Sequence, residues 1–135
     1  MLENKKLSIF VVEDNLMFQH LIAKQLESIS SDIQYFTSGE DCITQLYSNK
    51  PDVIVLDNNL EGALSGLDTL KVIRILHPYL YVVLFSTEKC LDTLENFLFY
   101  GHFVYVEKDI TAFKRLKDAV CASEIYLQKT GTSMN

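Results

Sequence analysis

Cysteine, histidine, long apolar runs and excess positive charge are all in short supply in this 135-residue chain. The three cysteines, Cys42, Cys90 and Cys121, are far apart and form no CxxC pair, which excludes a disulfide framework and reads as free thiols in a reducing cytoplasm. His20, His77 and His102 are equally scattered, so no zinc-ligand spacing is present. The longest apolar run, Tyr79 to Phe85, falls far short of the ~20 residues of a membrane helix. Two lysines precede the first apolar stretch, but that stretch breaks at Glu13-Asp14, too early for a signal peptide. These absences predict a cytosolic protein away from membranes. Lys and Arg number 12 against 18 Asp and Glu, a formal net charge of -6, so the chain alone is not expected to bind nucleic acid. There is no internal repeat and no low-complexity tract. What is present, 48% hydrophobic and 22% charged residues, suits one soluble globular domain.

Two kinds of apolar pattern alternate along the chain. Leu7 to Val12 is short and almost continuously apolar, as a strand covered on both faces should be. Phe18, Leu21, Ile22, Leu26 and Ile29 then follow a helical stripe, with Gln19, Lys24 and Glu27 facing away. Ile33 to Thr37 reads as a second strand, and Ser38-Gly-Glu-Asp41 as a capping box for a helix running to Leu46 before Pro51. Asp52 to Leu56 forms a third strand, and a helix from Gly66 to Leu76 ends at His77-Pro78. Leu80 to Phe85 is a fourth strand, followed by a helix over Glu88 to Tyr100 that Gly101 closes. Phe103 to Val106 makes a fifth strand and Ala112 to Gln128 a last helix. Five strands alternating with five helices predict parallel βαβ units, an α/β sheet with helices on both faces.

In such sheets ligands bind beyond the carboxyl ends of the strands. Glu13 and Asp14 follow the first strand, Asp57 the third, Ser86 and Thr87 the fourth, and Lys108 the fifth. Each alone is commonplace: an acidic pair is usually a solvated turn, Ser-Thr a helix cap, a single lysine a solvated side chain. Together, at successive strand ends, they are far more specific. Three carboxylates and one lysine leave a charge of -2, which matches one divalent cation, and an all-oxygen set suits Mg²⁺. Metal and lysine would stabilise charge on a transferring phosphoryl group, Asp57 would be its nucleophile, and the Ser86 hydroxyl would donate to a phosphoryl oxygen.

Phe10-Val-Val-Glu-Asp14, Val53-Ile-Val-Leu-Asp57, Leu84-Phe-Ser86 and Tyr105-Val-Glu-Lys108 resemble the four signature segments of the receiver domains of two-component response regulators, a likeness running from Leu7 to Leu127. The resemblance implies a flavodoxin-like, doubly wound, three-layer (βα)₅ fold with strand order 2-1-3-4-5. It implies an aspartyl phosphate at Asp57 and Mg²⁺ held by Glu13, Asp14, Asp57 and the Asn59 carbonyl. It also implies a phosphate-sensing Ser86, a catalytic Lys108 and an aromatic switch at Tyr105. The implied donor is a histidine kinase or phosphotransfer protein, and the chain is an acceptor that assists its own phosphorylation and dephosphorylation, not a conventional enzyme. Residues 1–128 are expected to be the domain and 129–135 a tail or linker start. Two alternatives are a receiver that serves only protein binding, or a Mg²⁺-dependent phosphatase with an aspartate nucleophile. The latter needs a second acid where the chain has Asn59. A flavodoxin-type electron carrier would share the fold, but Glu13-Asp14 would repel a flavin phosphate.

The chain departs from the family at four points. It has one extra residue before Gly66, Glu61 where proline is usual, Thr87 where alanine is common, and Asp109 in place of proline after the lysine. The Lys108-Asp109 pair and the Glu124 to Leu127 segment resemble receivers that precede a DNA-binding output domain. Phe97, Phe99, Tyr100, Phe103 and Tyr105 crowd one segment, and Leu91, Leu94 and Leu98 supply the core stripe of its helix. Phe97 and Tyr100 lie off that stripe, so the face made by the helix of residues 88–100, the fifth strand and the last helix is expected to carry the output or a homodimer contact.

Overall fold

A parallel strand buried on both faces must be apolar at nearly every position, because alternate side chains serve different cores. The computed structural model, which describes residues 7–87, 103–109 and 111–129, bears this out. Its strands are β1 (Ser8–Val12), β2 (Asp32–Phe36), β3 (Val53–Asp57), β4 (Tyr81–Ser86) and β5 (Val104–Glu107). All neighbouring pairs are parallel and the order is β2-β1-β3-β4-β5, as the resemblance implied. The helices described are α1 (Leu16–Leu26), α2 (Gly39–Leu46), α3 (Gly66–Leu76) and α4 (Ala112–Lys129). The helix expected over 88–100, with Phe97, Phe99, Tyr100, Leu91, Leu94, Leu98 and Cys90, and the tail beyond residue 129 lie outside the described residues.

Two separate cores flank the sheet. Ile9, Val11, Val53, Val55, Val83, Phe85 and Val106 pack on one side with Ile22 and Leu26 of α1 and Leu116 and Val120 of α4. The intervening residues Phe10, Val12, Ile54, Leu56, Val82 and Leu84 pack on the other side with Cys42 and Leu46 of α2 and Leu70 and Ile73 of α3. At roughly 1.5–3 kcal/mol for each large apolar side chain buried, these two layers dominate the favourable side of folding.

Local chemistry starts the helices where the sequence does. Asn15 caps α1 by accepting from the Phe18 amide at 3.0 Å, Ser38 caps α2 from Asp41 at 3.1 Å, and Ser65 caps α3 from Asp68 at 3.1 Å. Several strand ends differ from expectation by one residue. Asp57 closes β3 and Ser86 closes β4, each pairing into the sheet instead of following it. α1 is also rotated relative to its expected stripe: Leu21 is exposed, whereas Gln19 turns in and donates Nε2 to the Glu13 carbonyl at 3.0 Å.

Candidate functional site

β1, β3 and β5 deliver their charged residues to one edge of the sheet. Glu13 is 1% exposed and Asp57 2% exposed, while Asp14, one residue further along, is half-buried. One oxygen from each of Glu13, Asp14 and Asp57 lies within 4.8 Å of the others. Lys108 reaches into this group from the end of β5, its side chain 6% exposed. Its Nζ donates to Glu13 Oε1 at 2.9 Å and to Asp57 Oδ1 at 3.2 Å. Its backbone amide is anchored separately on the Ser86 carbonyl at 2.8 Å.

Loop amides add further bonds to the three carboxylates. Asp57 Oδ1 also accepts from the Asn59 amide at 2.9 Å, and Glu13 Oε2 accepts from the Asn15 amide at 3.2 Å. Asp14 Oδ2 accepts from the amide of Glu61 at 3.0 Å. A proline at position 61 has no such proton to give, so this departure from the family pattern supplies a tie between the first and third loops. Thr87 Oγ1 donates to Asn59 Oδ1 at 3.2 Å, bridging the loops after β3 and β4. Gly66 lets α3 begin directly beneath Asp57, since a Cβ there would sit 2.6 Å from the Asp57 carbonyl oxygen and 2.7 Å from Asn58 Cα.

Electrostatically the cluster is short of positive charge. Burial first, and then the nearby Asp57 charge, push the Glu13 carboxyl up to about 7 despite its bonds to Lys108 and Asn15. The bonds described leave Oδ2 of Asp57 and Oδ1 of Asp14 for another ligand. An all-oxygen set with surplus negative charge is the chemistry a hard divalent cation such as Mg²⁺ requires, so the residues fit that ion.

With that geometry established, comparison with known proteins is decisive. Residues 9–121 match the response regulator receiver domain family. The chain belongs to this family. It is 35% identical over 113 residues to a Paramagnetospirillum magneticum protein-glutamate methylesterase/protein-glutamine glutaminase, covering 78% of this chain but 31% of that one. It is 28% identical over 100 residues to the Salmonella typhimurium DNA-binding transcriptional regulator NtrC, covering 74% of this chain and 21% of the relative. The receiver thus spans a third or less of these relatives. Among solved structures, the signal receiver domain of a LuxO repressor protein from Vibrio parahaemolyticus superposes with a TM-score of 0.81 at 26% identity, covering 92% of this chain and 94% of that one.

The receiver fold brings Glu13, Asp14, Asp57, Asn59 and Lys108 together as expected, with Ser86 buried at the end of the adjacent strand. Tyr105 lies on the strand that leads into Lys108. It is half-buried on β5 and packs on the α2–α3 side of the sheet. Sequence reasoning missed several neighbours. Phe18 and Phe85 place their rings 4.5 and 5.3 Å from Lys108 Nζ, although the helical stripe marked Phe18 only as core. Arg115 of α4 ties down the turn after Lys108: its Nη2 donates to the Glu107 carbonyl at 3.0 Å and to Asp109 Oδ1 at 2.8 Å. That pair holds the Asp109 carboxyl below its usual range, the Arg115 hydrogen bond being the main cause. No peptide bond among the described residues is cis, so Lys108-Asp109 is trans and the turn is held by side chains. Among the described residues, no helix is long and apolar enough to cross a membrane.

Proposed function

We propose that this receiver domain accepts a phosphoryl group on Asp57 from the phosphohistidine of a histidine kinase or phosphotransfer protein. The observation that carries the reading is Lys108 Nζ bonded to both Glu13 and Asp57 beside Asp14. An oxygen of Asp57 attacks phosphorus, the P–N bond to the donor imidazole breaks, and the imidazole leaves with the bond's electrons. Lys108 and the Asn59 amide fix the Asp57 carboxylate through Oδ1, which holds it in place for attack. Mg²⁺, held directly by Asp14, Asp57 and the Asn59 carbonyl and through water by Glu13, would neutralise charge on the transferring group. Ser86 donates its hydroxyl to a phosphoryl oxygen once the group is in place. The domain is proposed to occupy residues 1–128, with 129–135 a tail or linker start.

The output is proposed to follow from charge. Phosphorylation adds close to two negative charges, which draw Ser86 and Lys108 inward and open room for the Tyr105 ring. The face of β5 and α4 then changes its affinity for a partner or a second copy, and an output domain in a longer chain would read that change. Incubation with a small phosphodonor and Mg²⁺ should add one phosphoryl group by mass spectrometry, and Asp57→Asn should abolish it. Label that survives this substitution would move the acceptor elsewhere. A beryllofluoride adduct should perturb the NMR signals of Ser86 and Tyr105, whereas changes confined to the carboxylates would refute this route to output.

A further inference from the structure

Lys108 is an unusual cation in that almost none of it meets water. Its side chain is 6% exposed, and its ammonium touches two carboxylates. Aromatic rings crowd the same ammonium. The Phe18 centroid is 4.5 Å from Nζ and the Phe85 centroid 5.3 Å, both inside the ~6 Å over which a ring face attracts a cation. Phe113 braces the two, stacking on Phe18 at 6.3 Å and meeting Phe85 edge-on at 5.6 Å. The three rings come from α1, β4 and α4, and Phe18 itself is fixed because its amide is the one that caps α1 on Asn15.

We infer that Phe18, braced by Phe113 and aided by Phe85, is a positioning residue that presents the Lys108 ammonium to the acceptor carboxylate through the face of its ring. The inference deepens the phosphoacceptor reading and rests on it. A lysine has four rotatable stem bonds, and a wholly polar surround would let the ammonium hydrate and wander. The ring faces exclude water behind Nζ while still giving it a negative surface, so its remaining freedom points toward Asp57 and toward whatever Asp57 carries. Phe18 has no side-chain oxygen or nitrogen to offer a cation, so it should govern the lysine and leave metal binding alone.

The test compares Phe18→Leu, Phe18→Tyr and pentafluorophenylalanine at position 18, which keeps the ring's shape but reverses the charge of its face. Phosphorylation by a small phosphodonor with Mg²⁺ should slow about 3- to 10-fold in Phe18→Leu and in the fluorinated protein, and stay near normal in Phe18→Tyr. The Mg²⁺ titration should be unchanged in all three. Independently of phosphorylation, the Lys108 ε-methylene protons should lose their ring-current displacement in Phe18→Leu and keep it in Phe18→Tyr. An unchanged ε-methylene signal in Phe18→Leu, or a fluorinated protein as fast as the parent, would overturn the inference. Because the NMR readout needs no acceptor chemistry, failure of the aspartyl phosphate reading at Asp57→Asn would be seen separately.

Discussion

Glu13 and Asp14 are neighbours in sequence with opposite environments. Glu13 lies buried against Lys108, with its proton affinity raised to about 7, whereas half-buried Asp14 is tied through Oδ2 to the Glu61 amide. Asp14 is therefore the acid better able to present a direct oxygen to a cation, and Asp14→Ala should weaken Mg²⁺ binding by tenfold or more, measured by titration calorimetry. An unchanged affinity would remove Asp14 from the metal site. The cysteines make a second prediction at this scale. Burial pushes the Cys42 thiol up to about 12 from its ordinary 9. At pH 8 roughly one part in 10⁴ would be thiolate, so iodoacetamide should spare Cys42 in the folded protein and modify half-buried Cys121 before it. The sign for stability follows. A group that keeps its proton longer when folded contributes fully below its unfolded value and loses that contribution as pH rises past it. Denaturation midpoints should therefore fall above about pH 9, and Cys42→Ala should flatten that alkaline limb.

Helices and strands were legible wherever one residue type repeats for one physical reason. The two-sided burial of β1, β3 and β4 is written in their unbroken apolar runs, and the cap Ser38 stands where its helix begins. Of the site, the acids, Ser86 and Lys108 were readable because each sits at a strand end. What could not be read depends on packing or on backbone donors. No side-chain pattern announces the Glu61 amide, and the rotation of α1 that turns Gln19 inward is set by its neighbours. Arg115 looked like any solvated helix cation, yet it grips residues on both sides of Lys108. Arg115→Ala should slow phosphorylation a few-fold with little loss of stability, since water screens an exposed ion pair. A rate equal to that of the parent would make the grip incidental. The glycines where elements meet allow a sharper comparison. A Cβ at Gly39 would lie 2.0 Å from Thr69 Oγ1, a side-chain atom, whereas at Gly66 it would strike backbone. Both substitutions to alanine should destabilise by about 1–3 kcal/mol, with Gly66→Ala the more costly in urea unfolding. The reverse order would mean that the loop after Asp57 yields more easily than Thr69.

For the whole molecule, the surplus charge at the sheet edge links cation binding to folding. A ligand at a hundred times its dissociation constant stabilises the native state by about 2.7 kcal/mol. Saturating Mg²⁺ should therefore raise the melting temperature by several degrees, and Asp14→Ala should remove most of the gain in a calorimetric scan. Equal melting with and without chelator would contradict this. One feature of the site also bears on how the protein is made. The bond from Lys108 to Glu13 spans 95 positions of the chain, and the bond to Asp57 spans 51. Chains emerge from the ribosome amino end first, at about 5–20 residues per second, so Glu13 and Asp57 are synthesised well before Lys108, the cation that joins them. Readiness to take up a phosphoryl group is therefore among the last properties the nascent polypeptide acquires, and an unfinished copy cannot intercept a signal meant for a finished one.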